Sequence, residues 1–76
     1  MNYTLMTAQG DYASLDLDKS GTKYIAYVYV YGFGITHKEE FEDYKTAEKR
    51  YLEMCKTSNV TPVVVEHDLA DMMANV

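Results

Sequence analysis

Between Tyr24 and Tyr31 the chain reads Tyr-Ile-Ala-Tyr-Val-Tyr-Val-Tyr, a run free of proline, glycine and charge. Period-two alternation sends Tyr27, Tyr29 and Tyr31 to one face of a strand and Tyr24, Ala26, Val28 and Val30 to the other. The aliphatic face is suited to a core. The phenol row has two readings: an amphipathic surface that recognises another protein, or a face buried beneath the chain's own termini or a second copy of the sheet.

Other segments supply the rest of a sheet. Tyr3 to Ala8 is β-compatible and ends at the turn signal Gln9-Gly10-Asp11. Asp11 to Leu17 alternates, with Ala13, Leu15 and Leu17 on one side and Tyr12, Ser14 and Asp16 on the other. Asp18-Lys19-Ser20-Gly21 reads as the connecting loop, Gly21 supplying a positive φ. A three-residue loop would set Leu17 opposite Lys23 and mix polar with apolar groups. A four-residue loop sets Lys23 opposite Asp16 and Leu15 opposite Tyr24, which is chemically cleaner. It gathers Ala13, Leu15 and Leu17 with Tyr24, Ala26, Val28 and Val30, and leaves Tyr12, Ser14 and Asp16 beside Ile25, Tyr27 and Tyr29.

Gly32-Phe33-Gly34 permits a reversal into a fourth strand, in which Ile35, His37, Glu39 and Phe41 point one way and Thr36, Lys38 and Glu40 the other. Asp43 is a suitable N-cap for a helix from Tyr44 to about Ser58, where Tyr44, Ala47, Tyr51, Met54 and Cys55 form an apolar stripe. That stripe is expected to cover Ala26, Val28 and Val30. Asn59 is a stop signal, Val60 to Glu66 reads as a last strand with Pro62 near its start, and Asp68 can cap a short helix through Leu69, Met72, Met73 and Val76. The fold class that follows is α+β: an antiparallel four- to five-stranded sheet with one main helix on one face, in the order β-β-β-β-α-β, as one domain over residues 1–76.

At 76 residues the chain is too short for two independent cores, and a deep catalytic cavity would consume much of what one core can supply. The formal net charge of −5 opposes direct attachment to nucleic acid or to an anionic membrane. Cys55 is the only cysteine, so no intramolecular disulfide can form, and the N-terminus lacks a signal-peptide pattern; a cytoplasmic location is expected. The longest apolar run, Tyr24 to Ile35, is too short and too alternating to cross a bilayer.

Motifs for chemistry are lacking. Gly32-Phe33-Gly34 opens no helix and so is not a phosphate loop. Cys55 falls on the helix stripe, and none of Ser14, Ser20 and Ser58 lies in a nucleophile-elbow sequence. Glu39 and Glu40 point to opposite sides of a strand and cannot serve one substrate as acid and base. Glu66-His67-Asp68 with Asp71 could in principle meet a divalent ion, but helix capping explains those acids and His37 belongs to a different strand. No enzyme activity, cofactor or metal is expected.

In size, acidity, single-domain layout and lack of a catalytic motif, the chain resembles the small inhibitors encoded by bacteriophages and mobile elements, anti-CRISPR proteins among them. That resemblance implies a host nucleic-acid-handling or defence complex, such as CRISPR-Cas, as the class of partner. The residues suggest a non-catalytic protein-binding protein acting through Tyr27, Tyr29, Tyr31, Tyr12 and Asp16 on the sheet and the acidic block Glu39, Glu40, Glu42 and Asp43. The block would either make ordinary polar contacts or imitate a nucleic-acid backbone. The alternative is a structural or accessory subunit that homodimerises through the tyrosine face, with a small metal protein or enzyme third.

Overall fold

A computed structural model describes residues 2–65. Four eight-residue strands run in sequence, β1 (Asn2–Gln9), β2 (Ala13–Ser20), β3 (Lys23–Val30) and β4 (Gly34–Phe41). The helix α1 (Tyr44–Thr57) and the short strand β5 (Val63–Val64) follow. All strands belong to one antiparallel sheet in the order β4-β3-β2-β1-β5, with α1 packed across it against β2, β3 and β4. This is the α+β architecture expected from the patterning.

The β2–β3 hairpin is tighter than either loop considered from sequence. Asp18, Lys19 and Ser20 are strand residues, and only Gly21 and Thr22 turn the chain, with Gly21 at a φ of 60°. A glycine at positive φ in the first of two loop positions is the type II′ arrangement, whose twist matches that of the flanking strands. Leu15 therefore faces Val28, Leu17 faces Ala26 and Asp16 faces Tyr27, rather than Leu15 facing Tyr24 and Asp16 facing Lys23. The displacement spans an even number of residues, so every side chain keeps the face that the alternation gave it.

In β4 the correction changes a face. The register shifts between Val28 and Tyr29, pairing His37 with Val28 but Ile35 with Tyr29 and leaving Thr36 as the extra residue of a bulge. Ile35 thereby moves to the tyrosine side, while His37, Glu39 and Phe41 stay on the helix side.

The helix begins where a capping residue can satisfy its free amides. Asp43 is extended, at φ −127° and ψ 145°, and its carboxylate accepts from the Thr46 amide at 2.9 Å. It ends in a Schellman motif, with Asn59 left-handed at φ 56°. There the Val60 amide donates to the Cys55 carbonyl at 3.0 Å and the Asn59 amide to that of Lys56 at 3.2 Å. That reversal turns Val60 back onto the core instead of into the sheet, and Pro62 has no amide to offer. Pairing therefore starts only at Val63, later than the strand expected from Val60. The expected terminal helix and residues 66–76 lie outside the described residues.

Met6, Ala8, Leu15, Leu17 and Ala26 from the sheet meet Ala47, Tyr51, Met54 and Cys55 from the helix in one buried cluster. Alanines at positions 8, 26 and 47 make room for the Tyr51 ring, whose hydroxyl donates to the Leu15 carbonyl at 2.7 Å. Burial raises the pKa of both Tyr51 and Cys55, so both stay neutral and act as packing groups. Tyr44, expected in the stripe, is on its rim, with its ring edge-on to Tyr24 at 5.6 Å and its hydroxyl donating to Glu48 at 2.7 Å. Among the described residues no helix is long and apolar enough to cross a membrane.

Candidate functional site

Only one side of the sheet is roofed by α1; on the other, no described element packs. The paired registers turn that open face into a grid read across the strands. One row is Thr4, Asp18, Ile25 and Glu40; the next is Thr7, Asp16, Tyr27 and Lys38; the third is Gln9, Ser14, Tyr29 and Ile35. Past the third row the Tyr31 amide donates to the Tyr12 carbonyl at 3.0 Å, carrying the ladder into the turns.

The two ends of the grid differ chemically. At the turn end, Tyr29 and Tyr31 are 41% and 42% exposed, Ile35 57%, Tyr12 83% and Phe33 86%. The Tyr29 and Tyr31 rings lie 6.3 Å apart, tilted by 60°. In the middle, Asp16 accepts from the Thr7 hydroxyl at Oδ1 and from Ser14 at Oδ2, the latter at 3.4 Å. Asp18 accepts from Thr4 and Tyr27, yet its Oδ1 is buried with no donor among the described residues. Burial raises the Asp18 pKa, and the Asp16 charge adds to the effect. Burial, followed by the neighbouring Asp18 and Asp16 charges, pushes the Tyr27 hydroxyl well above its ordinary range, so Tyr27 remains a neutral donor.

An orphan carboxylate oxygen is costly, because the charged form has given up water without a full set of donors. The Asp18 pKa stands above its ordinary 3.8, so the penalty applies in full at neutral pH and is relieved as pH falls through the raised value. Asp18→Asn is therefore expected to raise stability at pH 7 by about 1 kcal/mol, measured by urea denaturation, and to leave it unchanged near pH 3. A loss of stability at pH 7 would contradict this account.

The acidic block splits up. Glu39 is on the helix side, where Arg50 Nε donates to Oε1 and Oε2 at 3.0 and 3.1 Å and Arg50 Nη2 donates to Oε2 at 2.9 Å. His37 Nε2 lies 2.6 Å from the same Oε2. The Arg50 guanidinium, assisted by His37, holds Glu39 down at about 2. Asp43 is committed to capping the helix. Glu40 remains on the open face between Lys23 at 3.6 Å and Lys38 at 3.7 Å, and Glu42 is exposed on the bend before the helix.

Of the sequence candidates, Tyr27, Tyr29, Asp16 and Glu40 thus share one face, with Tyr12 and Tyr31 at its end, whereas Glu39 and Asp43 serve the helix. Asp18 and Ile35 join the face against expectation, since composition reads Asp18 as a loop residue and unbroken alternation puts Ile35 on the opposite side. The available signal for Asp18 was its spacing: Asp16 and Asp18 stand two apart on either side of Leu17, in step with the strand.

The Glu39 contact carries a pH signature. Its folded pKa lies below the ordinary 4.5, so the stabilisation is complete above that value and is lost as pH falls towards 2. Glu39→Gln is expected to flatten the acid limb of the thermal midpoint between pH 4.5 and 2. The effect should be modest because the pair faces solvent. An acid limb identical to that of the parent chain would show that the pair contributes nothing.

Among the described residues no cluster of three or more histidine, cysteine, aspartate or glutamate side chains is placed to hold a metal ion. Glu66, His67, Asp68 and Asp71 lie outside the described residues. Comparison with protein-family models, with curated proteins and with solved structures returned no match.

Proposed function

We propose that this chain is a non-catalytic protein-binding protein whose open sheet face docks a partner through the aromatic end formed by Tyr29, Tyr31, Tyr12, Ile35 and Phe33. The observation that carries this reading is the combination of that exposed cluster with the absence of any described layer over it. Tyrosines present a broad apolar ring and a polar tip at low entropic cost, the profile of residues that dominate binding energy in protein interfaces. Contiguous apolar surface of this kind is uncommon on small monomers without a binding role.

Charge narrows the class of partner. Asp16 stands one row from the aromatic end, Asp18 and Glu40 lie a further row along the same face, and the whole chain carries a formal −5, so a surface with an apolar patch flanked by arginine or lysine is complementary. Proteins that handle nucleic acid carry such basic surfaces. A phage- or mobile-element inhibitor acting on a host nucleic-acid-handling or defence complex, CRISPR-Cas included, is the form of the proposal that fits both size and charge. With Glu39 and Asp43 committed elsewhere, contact through the sheet face is favoured over imitation of a nucleic-acid backbone by the acidic block.

A second reading is a homodimer through the same face. Asp16 and Lys38 lie in one row on either side of Tyr27, so a two-fold-related copy could set each aspartate against the other copy's lysine. Light scattering coupled to size exclusion separates the two readings. A mass of 8.7 kDa, unchanged in Tyr29→Lys, fits a partner of another kind; a doubled mass halved by that substitution fits self-association.

A further inference from the structure

On the helix side of the sheet, α1 stops short. Fourteen helical residues span about 21 Å, whereas an eight-residue strand spans about 27 Å. The roof extends from Tyr24, beneath Tyr44, to Val28, near Met54, and the Schellman turn then takes the chain away. Among the described residues the uncovered floor forms a cleft of about 540 Å³ over Ala13, Leu15 and Val28, walled by Ser58, Asn59 and Val60 and by the turn from Gln9 to Tyr12, so that Tyr12 borders both this cleft and the aromatic end. A smaller hollow of about 210 Å³ adjoins it through the shared Leu15, Val28 and Ser58.

One edge of the cleft is closed by the approach of Val60 to Gly10. A Cβ on Gly10 would come within 3.1 Å of Val60 Cγ1 and 3.2 Å of the Ala13 carbonyl oxygen, so a larger residue there would push the two walls apart. The Gly10 amide donates to that same Ala13 carbonyl at 2.9 Å, fixing the turn. An apolar floor with a polar rim, at this volume, is the usual form of a small-molecule site.

Electrostatics select the ligand. Among the described residues lining the larger cleft, Asp11 is the one that is charged, and it is exposed. The C-terminal end of α1, with the negative pole of its dipole, opens onto the same space. Arg50 borders the smaller hollow and is engaged by Glu39, and Lys56, in the last turn of α1, is exposed and does not line the larger cleft. We infer that this cleft binds a small organic cation with an apolar body, the ammonium group towards Asp11 and the helix end, and the body over Leu15 and Val28.

The test is an amide NMR titration of the full chain with three probes that share a phenethyl body: phenethylammonium, 2-phenylethanol and 3-phenylpropionate. The expected result is saturable shifts confined to residues 9–15, 28 and 57–60, with affinity falling from ammonium to alcohol to carboxylate. Asp11→Asn, in an exposed turn, is expected to weaken the ammonium about fivefold and leave the alcohol unchanged. Shifts that do not saturate, shifts located elsewhere, or an affinity order indifferent to charge would overturn the assignment.

Discussion

Leu17→Ala is expected to be the most damaging single truncation in the chain. Leu17 is fully buried on the central strand, faces Ala26 across the ladder and belongs to the cluster that joins Met6, Ala8 and Leu15 to Tyr51 and Cys55. Its neighbours Ala26 and Ala47 are already minimal and cannot expand into the space, while Tyr51 is tethered to the Leu15 carbonyl. The cavity will therefore persist rather than collapse, and the expected loss is about 3 to 4 kcal/mol by urea denaturation. Chains of this length commonly have only about 4 to 11 kcal/mol of stability, so the variant should be partly unfolded at 37 °C. A loss below about 1 kcal/mol would mean that α1 does not close over β2 as described.

The second large effect concerns binding and leaves stability alone. With the chain immobilised, the double substitution Tyr29→Lys and Tyr31→Lys is expected to weaken capture of a protein partner by at least tenfold. The thermal midpoint should stay within about 2 °C, because both rings are exposed and neither belongs to the core cluster. Glu40→Lys should instead slow association and reduce its salt dependence, as expected for a charge on the same face at a distance from the aromatic end. Retention of full affinity by the tyrosine double variant, with the fold intact, would move the binding surface elsewhere.

Periodicity made most of this architecture legible. Alternation in Ala13–Leu17 and Tyr24–Tyr31 separated the two faces correctly, and the helix was marked at its start by Asp43 and along its length by Ala47, Tyr51, Met54 and Cys55. Register was less accessible, because several pairings share the same parity and alternation cannot tell them apart. The deciding factor was backbone geometry, since Gly21 can adopt the positive φ that a two-residue turn needs.

The bulge at Thr36 was equally hidden. Nothing in Ile35-Thr36-His37 announces an extra residue, yet it carries Ile35 across to Tyr29 and enlarges the aromatic end. The Glu39–Arg50 pair joins residues eleven apart on different elements and emerges only once the helix lies across β4. Asp18 escapes detection for a related reason: an Asp-Lys-Ser-Gly run reads as a loop on composition, although two aspartates flanking Leu17 also continue the strand's alternation.

One side of the sheet is closed by the helix, and among the described residues no element covers the other. Solvent paramagnetic relaxation of the 76-residue chain, with a soluble gadolinium chelate at a concentration where light scattering gives one chain per particle, measures this directly. The expected result is strong relaxation of the ring protons of Tyr29, Tyr31 and Tyr12, with Leu17, Ala26 and Tyr51 protected. Protection of Tyr29 and Tyr31 equal to that of Tyr51 would contradict it.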